Sequence, residues 1–198
     1  MMQLIVVIIF SVFTFSSASP IARVVGGSDV PQGKYPYQVH IDYFGGFLGG
    51  GSILNKRYIL TAAHCISGID IKFTDSIKPI ALPNVDIDYN NGHAVLTGWG
   101  QLANNKPVAN KLQEIELSVI SADKCQRHFS QVIEKIQFCT LTYGGKGACN
   151  GDSGGPLASN GTQIGIVSYG KPCALGYPDV YTKVYGYLDW IQKNMVDI

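Results

Sequence analysis

The chain has 198 residues, of which 46% are hydrophobic and 15% are charged, and its formal net charge is +1 at pH 7. This length is enough for one or two compact domains. Because the charges balance and form no basic field, nucleic acid and anionic membrane surfaces are not expected partners.

The first 19 residues have the features of a targeting segment. An apolar run over 4–10 is followed by small residues that end at Ala18 and Ser19. The run is short for a membrane anchor, so a secretory signal peptide over 1–19 is the better interpretation, and no later segment is long enough to span a bilayer. We therefore expect a secreted, extracellular protein in which disulfide bonds can form.

Short apolar and β-branched runs alternate with turn signals along most of the chain, which predicts an all-β fold. The predicted strands are 37–41, 52–54, 58–60, 94–97, 113–117, 164–167 and 180–184. Residues 121–130 predict a helical turn capped by Ser121, and apolar residues at helical spacing over 187–195 predict a C-terminal helix. Asn160-Gly161 predicts a hairpin turn, and Asn160 also begins an N-glycosylation sequon.

One serine, Ser153, is framed by glycines in the run Gly151-Asp152-Ser153-Gly154-Gly155-Pro156. Glycines on both sides let the backbone approach a substrate carbonyl and adopt positive φ. The amides of Gly151 and Ser153 could then stabilise a developing oxyanion. The alternatives are a Gly-Ser surface turn and the looser Gly-x-Ser-x-Gly pattern of another hydrolase fold.

One histidine, His64, lies in the run Thr61-Ala62-Ala63-His64-Cys65, directly after a predicted strand. The order of His before Ser disfavours the α/β-hydrolase arrangement, in which the serine comes first. The histidines at 40, 93 and 128 lack such a setting and are interpreted as structural.

Together these motifs resemble those of the chymotrypsin-like (trypsin-like) serine proteases, and insect chymotrypsins in particular. The resemblance extends over 24–198 with one large gap. It implies two antiparallel six-stranded barrels with the catalytic cleft between them, Ser153 as nucleophile and His64 as general base. The implied partners are polypeptide substrates and protein inhibitors of proteases; a monomer without a cofactor is expected. Further matching segments are Val24-Val25-Gly26-Gly27, Gly50-Gly51-Ser52-Ile53-Leu54, Gly98-Trp99-Gly100 and Pro178-Asp179-Val180-Tyr181.

The resemblance also implies activation by proteolysis. Cleavage after Arg23 by a trypsin-like protease would release a propeptide, residues 20–23, and expose an α-amino group on Val24. In the family this group inserts and pairs with the acid before the catalytic serine, here Asp152. Such pairing is physically required because a buried carboxylate without a partner charge is costly.

The specificity pocket implied by the resemblance combines Gly147, Ser168, Gly170 and Asp179. Gly147 stands where an aspartate would select Lys or Arg, so a large apolar or aromatic substrate residue is expected. Ser168 and Gly170 belong to a strand edge that would pair with the substrate backbone. Asp179 stands where glycine is commoner in the family, so a mixed preference that includes Arg and Lys stays open. The alternative is that the Asp179 carboxylate is hydrogen-bonded away from the cavity and does not affect the preference.

The cysteines are expected to form the pairs Cys125–Cys139 and Cys149–Cys173, by the same resemblance. Cys65 is left unpaired, because its usual partner position holds Gly49. An odd cysteine in a secreted chain is a reactive thiol or an intermolecular link. A third reading is that the N-terminal half does not fold as its relatives do.

The catalytic aspartate is the missing part of this constellation. His64 and Ser153 are 89 positions apart, about 50 fewer than in the Ser-His-Asp template. The missing residues fall at Ile69-Asp70. Asp70 is therefore the candidate for the third catalytic residue, and Asp75, Asp86 and Asp88 are weaker alternatives. The gap also takes the family's calcium loop, so no metal is expected.

The predicted organisation is therefore a truncated N-terminal barrel over 24–83 and a complete C-terminal barrel with its helix over 84–198. The predicted function is that of a secreted serine endopeptidase of reduced activity, since damage to the third residue costs about 10⁴-fold in turnover. The alternatives are a non-catalytic homologue that binds or regulates, and a truncated splice product.

Overall fold

The computed structural model describes residues 24–43, 46–56, 58–62, 74–132, 134–141, 144–171 and 173–195. Strands dominate these residues, as the alternating runs predict. The strands are β1 (Ser28–Asp29), β2 (Gln38–Tyr43), β3 (Gly46–Ile53), β4 (Ile59–Thr61), β5 (His93–Gly98), β6 (Gln113–Ile120), β7 (Gln137–Thr140), β8 (Pro156–Ser159), β9 (Thr162–Gly170) and β10 (Asp179–Lys183). The α-helices are α1 (Ala122–Gln126) and α2 (Leu188–Asn194), and a 3₁₀ turn over Val184–Tyr187 leads into α2.

The C-terminal half forms a closed antiparallel barrel. Its strands run in the order β6-β5-β8-β9-β10-β7, and β7 pairs back onto β6 to close the ring. Alternate residues of β6 point inward, because a strand presents every second side chain to the same face. The barrel core is apolar and includes Leu96, Ile115, Leu117, Leu157, Ile164 and Tyr181.

The N-terminal half supplies a smaller sheet of three antiparallel strands, in the order β2-β3-β4. Its core is a cluster of four buried residues, Val39, Ile41, Ile53 and Ile59. No further strand joins this sheet within the part of the chain that the structure describes. The expected fold class, an all-β protein with one complete barrel, a truncated N-terminal barrel and a C-terminal helix, is confirmed.

The residues at the start of the described chain pack on the C-terminal barrel. Ser28 and Asp29 of β1 pair with Glu114 and Gln113 of β6. Val24 is completely buried and belongs to the barrel core. Residues 24–29 thus contact the half of the molecule that comes last in the sequence, although the expected boundary assigns them to the N-terminal half.

Both expected disulfides, Cys125–Cys139 and Cys149–Cys173, are present. The first ties α1 to β7, and the second ties the segment before Ser153 to the loop before β10. The Ser121 side chain accepts a hydrogen bond from the Lys124 amide, so the predicted N-cap of α1 is formed. Among the described residues, no helix has the length and apolar character that crossing a membrane requires.

Buried hydrogen bonds join the small sheet to the barrel. The Ser52 hydroxyl on β3 donates to Gln163 Oε1 on β9 at 2.5 Å, and neither residue is exposed to solvent. The Thr97 hydroxyl on β5 donates to Gln38 Oε1 on β2 at 2.5 Å. Because a buried polar group is costly unless it is paired, these bonds specify how the two halves dock.

Replacing Ser52 by alanine should therefore weaken the docking of the two halves. The change leaves Gln163 Oε1 buried without this donor, which costs about 1–3 kcal/mol of unfolding free energy. Urea unfolding followed by tryptophan fluorescence measures this, with Ser52→Ala/Gln163→Leu as the companion variant. The double variant should recover part of the loss, because both polar partners are then gone. A Ser52→Ala protein as stable as the parent would contradict this role.

Candidate active site

Two successive backbone turns hold Ser153 in place. The Asp152 amide donates to the Cys149 carbonyl at 3.1 Å, and the Gly155 amide donates to the Asp152 carbonyl at 2.9 Å. Gly151 has φ +95° and Gly154 has φ +80°. Each glycine is the third residue of its turn, where a type II turn requires positive φ. The glycine frame is thus explained by turn geometry.

The two amides on either side of Asp152 have no hydrogen-bond acceptor among the described residues, and neither does the Asn150 amide. The amides of Asp152, Gly154 and Gly155 all donate to backbone carbonyls. The amides of Gly151 and Ser153 donate to none of the residues that the structure describes. A pair of amides that is free to bond can stabilise an anionic oxygen on a substrate.

The serine turn rests against the small sheet. The Gly50 amide of β3 donates to the Ser153 carbonyl at 3.1 Å, and the Thr61 hydroxyl of β4 donates to the Gly50 carbonyl at 2.6 Å. Thr61 and Ala62 lie three and two positions before the predicted base, His64, in the sequence. His64, Cys65 and Asp70 themselves lie outside the described residues.

Asp152 is completely buried beneath the serine. Its Oδ1 accepts from the Gly100 amide at 2.8 Å, and its Oδ2 accepts from the Cys149 amide at 2.9 Å. A Cβ on Gly98 or Gly100 would lie 2.2 to 2.4 Å from this carboxylate, so only glycine fits at either position. Burial raises the pKa of Asp152 to about 6, against the opposing effect of the two amides. No cation among the described residues pairs with it.

The segment expected to follow the cleavage site is packed into the barrel. Val24 is completely buried, and the Val25 carbonyl accepts a hydrogen bond from the Gly147 amide at 3.2 Å. This bridge joins the predicted new N-terminus to the predicted pocket. Arg23 lies outside the described residues.

A cavity of about 280 Å³ opens beside Ser153. It brings Ser153 together with three of the four predicted pocket residues, and Gly147 directly precedes its wall. The lining also includes Lys171, which the sequence reasoning missed and whose ammonium lies 4.1 Å from the centre of the Tyr177 ring. The lining residues are Ala148, Cys149, Asn150, Ser153, Val167, Ser168, Tyr169, Gly170, Lys171 and Asp179.

The Asp179 carboxylate occupies space that the neighbouring glycines leave open. Its Oδ2 accepts from the Ala148 amide at 2.8 Å. A Cβ on Gly147 would lie 2.6 Å from Oδ2, and a Cβ on Gly170 would lie 2.8 Å from Oδ1. Gly147 and Gly170 are thus sterically matched to Asp179. Burial raises the pKa of Asp179 to about 7, and the nearby Asp152 charge acts in the same direction.

The weaker candidates for the catalytic acid are occupied elsewhere. Asp75 is an exposed residue of a turn. Asp86 pairs with Lys183 at 2.5 Å, and Asp88 accepts from the Asn90 amide at 2.9 Å. Both line a second cavity that Ser153 does not share. These positions give no support to a role for any of the three beside Ser153.

The three histidines interpreted as structural all have neighbours that account for them. His40 lies beside the Asp42 carboxylate and stacks on the Trp99 ring, with the ring centres 5.1 Å apart. His93 lies beside the Glu116 carboxylate, and His128 packs edge-on against the Tyr177 ring.

At the hairpin tip, Asn160 is exposed and has φ +49°, so its side chain is accessible as a glycosylation site would require.

Comparison with known proteins gives consistent results. The protein-family model described as Trypsin matches residues 24–72 and 69–191. Chymotrypsin-2 of Vespa crabro is 40% identical over 222 residues, covering 87% of this chain and 100% of the relative. Trypsin II-P29 of Gallus gallus is 32% identical, covering 87% and 89%. Neuropsin, described as a serine protease of mouse brain, matches in structure with a TM-score of 0.80 at 25% identity, covering 86% and 99%.

These alignments also locate the missing segment. The two parts of the family match meet at 69–72, where the sequence analysis puts the loss. The Vespa crabro alignment extends over 222 residues yet includes only 87% of a 198-residue chain, so the relative has about 50 residues that this chain lacks.

Proposed function

This chain belongs to the trypsin family of serine proteases, and from that membership we propose that it is a secreted, chymotrypsin-like endopeptidase made as a zymogen. The observation that carries the proposal is the placement of Ser153. It lies on a double glycine turn at the edge of a cavity, and neither its own amide nor that of Gly151 has an acceptor in the described chain.

The proposed chemistry is acyl transfer. The Ser153 hydroxyl attacks the substrate carbonyl carbon while its proton passes to His64. The amides of Gly151 and Ser153 stabilise the oxyanion, and His64 then gives the proton to the leaving amine. A water molecule, activated by the same histidine, releases the acyl group. The exposed edge of β9 at Ser168 and Gly170 pairs with the backbone of a polypeptide substrate.

The proposed substrate preference is for a large apolar or aromatic residue before the scissile bond. Gly147 comes directly before the wall of the cavity beside Ser153, at the position where the resemblance puts an aspartate in enzymes that select Lys or Arg. Asp179 is the one carboxylate in its lining, and its effect on this preference is taken up below.

The proposed activation step is cleavage after Arg23 by a trypsin-like protease. Asp152 supports this step, because it is buried without a cation among the described residues and a new α-amino group on Val24 would supply one. In this scheme 1–19 is the signal peptide and 20–23 the propeptide. The two disulfides support secretion, since such bonds persist in oxidising compartments. We also propose that the enzyme is a monomer and that protein inhibitors of proteases bind it.

The shortened N-terminal half supports two further readings. We propose that turnover is reduced, because the catalytic aspartate that the resemblance implies falls in the segment of about 50 residues that this chain lacks. The second candidate function is a non-catalytic homologue that binds through the same cleft. The observation that favours it is the sheet of only three described strands in place of a second barrel.

Active-site labelling separates these functions. The chain is expressed without 1–19, cleaved after Arg23 and treated with a serine-reactive phosphonate, with Ser153→Ala as the matched control. Labelling that depends on Ser153, together with hydrolysis of an aromatic amide substrate, is the expected result. A folded protein that takes up no phosphonate would end the protease proposal and favour the binding homologue.

A further inference from the structure

The cavity beside Ser153 contains a buried acid that the proposed chemistry does not use. Asp179 is 7% exposed, yet its carboxylate belongs to the cavity lining. The hydrogen bond that it accepts in the described chain comes from Ala148 to Oδ2, and no described cation pairs with it. A carboxylate with so little compensation is held in its charged form at a cost.

The groups around Asp179 do not neutralise it. Burial is the largest cause that raises the pKa of Asp179, and the Asp152 charge, which the proposed Val24 α-amino group would offset after cleavage, adds to it. Tyr181, two positions along β10, is completely buried, and burial keeps its pKa well above the ordinary value, so its hydroxyl remains neutral. β7 presents Thr140 opposite Asp179, and β9 contributes Tyr169. Lys171, the cation in the lining, lies over the Tyr177 ring at the exposed end of this strand and forms no ion pair with Asp179.

We propose that Asp179 makes this pocket change its ligand class with pH. With the carboxyl protonated, the pocket is neutral and takes apolar or aromatic side chains. With the carboxyl ionised, it also takes cationic side chains that carry an amidinium or guanidinium group. The inference rests on the proposed use of this cavity as the substrate side-chain pocket.

The surroundings of Asp179 support a carboxyl group that changes its protonation in the neutral pH range and is not permanently ionised. Asp179 lines the cavity and its Oδ1 accepts no hydrogen bond from the described residues, so a ligand that reaches this part of the lining can bond to it. The burial that brings the pKa of Asp179 to about 7 puts the change in the neutral range. Below that value the protonated form dominates and a cation gains nothing; above it the carboxylate attracts the cation at short range in a poorly solvated site.

Ligand binding to an inactive variant tests this without relying on catalysis. The Ser153→Ala chain, cleaved after Arg23, is titrated calorimetrically with benzamidine, a permanent cation over this range, and with benzamide, its neutral analogue. If only ionised Asp179 binds the cation, the Kd of benzamidine should fall by about 30-fold between about pH 5.5 and about pH 8.5. The Kd of benzamide should stay nearly constant.

Asp179→Asn on the same background is the control. Its amide oxygen can still accept from Ala148, so it should keep benzamide binding and lose the pH dependence of benzamidine binding. Asp179→Gly should lose it as well, and serves if the asparagine variant does not fold. These controls remove any contribution from other titratable groups, which the parent and the variants share. Equal pH dependence in parent and variants, or failure of both ligands to bind, would overturn the proposal.

The outcome is independent of the protease proposal. If phosphonate labelling fails while benzamidine binding keeps its pH dependence, the pocket inference stands for a binding protein. If labelling succeeds and binding shows no pH dependence, only the inference falls. In an active enzyme, the ratio of kcat/KM for arginine against phenylalanine substrates should rise with pH by the same factor, since the ionisation of His64 cancels in the ratio.

Discussion

Turnover should rise by up to about 10⁴-fold when Ile69-Asp70 is replaced by the corresponding segment of the Vespa crabro relative. In the Ser-His-Asp template, loss of the aspartate costs this much because the imidazole takes the wrong tautomer. The relative has about 50 residues that this chain lacks, and the resemblance implies that the catalytic aspartate lies among them. Values of kcat/KM on one aromatic amide substrate, measured after cleavage at Arg23, give the comparison.

The control for this graft is the same segment with its aspartate changed to asparagine. It should restore the missing strands and leave turnover near that of the parent, which separates the effect of the acid from that of the sheet. In the ungrafted chain, Asp70→Asn tests whether Asp70 serves as the third residue. A parent that already turns over as fast as the graft would show that the shortened chain orients His64 by other means.

Replacing Gly154 by alanine should lower turnover by at least about 10²-fold, because a displacement of about 1 Å at a catalytic group has this effect. Gly154 has φ +80°, and a Cβ there would lie 2.6 Å from Thr61 Oγ1 and 2.7 Å from both the Ala62 amide nitrogen and the Gly50 carbonyl oxygen. Two of these atoms are backbone and cannot move aside cheaply. The serine turn would then shift away from β3 and β4, whose last residues lead to His64.

Gly161→Ala is the matched control for that substitution. Gly161 has φ +76° but nothing within 4 Å of a Cβ. The two variants therefore share backbone strain and differ in steric clash. Steady-state kinetics should show near-parental turnover for Gly161→Ala, and phosphonate labelling should slow only for Gly154→Ala. Equal losses in both variants would attribute the effect to strain alone.

Local signals in the sequence predict the elements whose causes lie within a few residues. The Ser121 cap, the C-terminal helix and the Asn160-Gly161 hairpin all form. The hairpin pair has φ +49° and +76°, as a type I′ turn requires. The expected cysteine pairs and the grouping of Ser153 with Asp179 came from the resemblance, because neither can be deduced from spacing alone.

Other features depend on partners far along the chain and have no local signal. β1 carries no apolar residue, and Ser28 and Asp29 are strand residues only because β6 offers them an edge. Asp152 accepts from Gly100, 52 positions earlier. The run Gly98-Trp99-Gly100 was matched as a motif, but its steric reason, the space for a buried carboxylate, is visible only in three dimensions.

The pairing of β1 with the barrel changes how the missing segment should be regarded. Both ends of the described chain rest on the same ring of strands, so the residues between Asp29 and the start of β5 are topologically an insertion into it. A deletion inside an insertion removes no strand from the ring, so its effect on the barrel passes through the hydrogen bonds that join the small sheet to it. The proposed recognition pocket therefore belongs to the ring, whereas the proposed base, His64, belongs to the insertion, so a change in the length of the insertion leaves the strands that line the pocket in place.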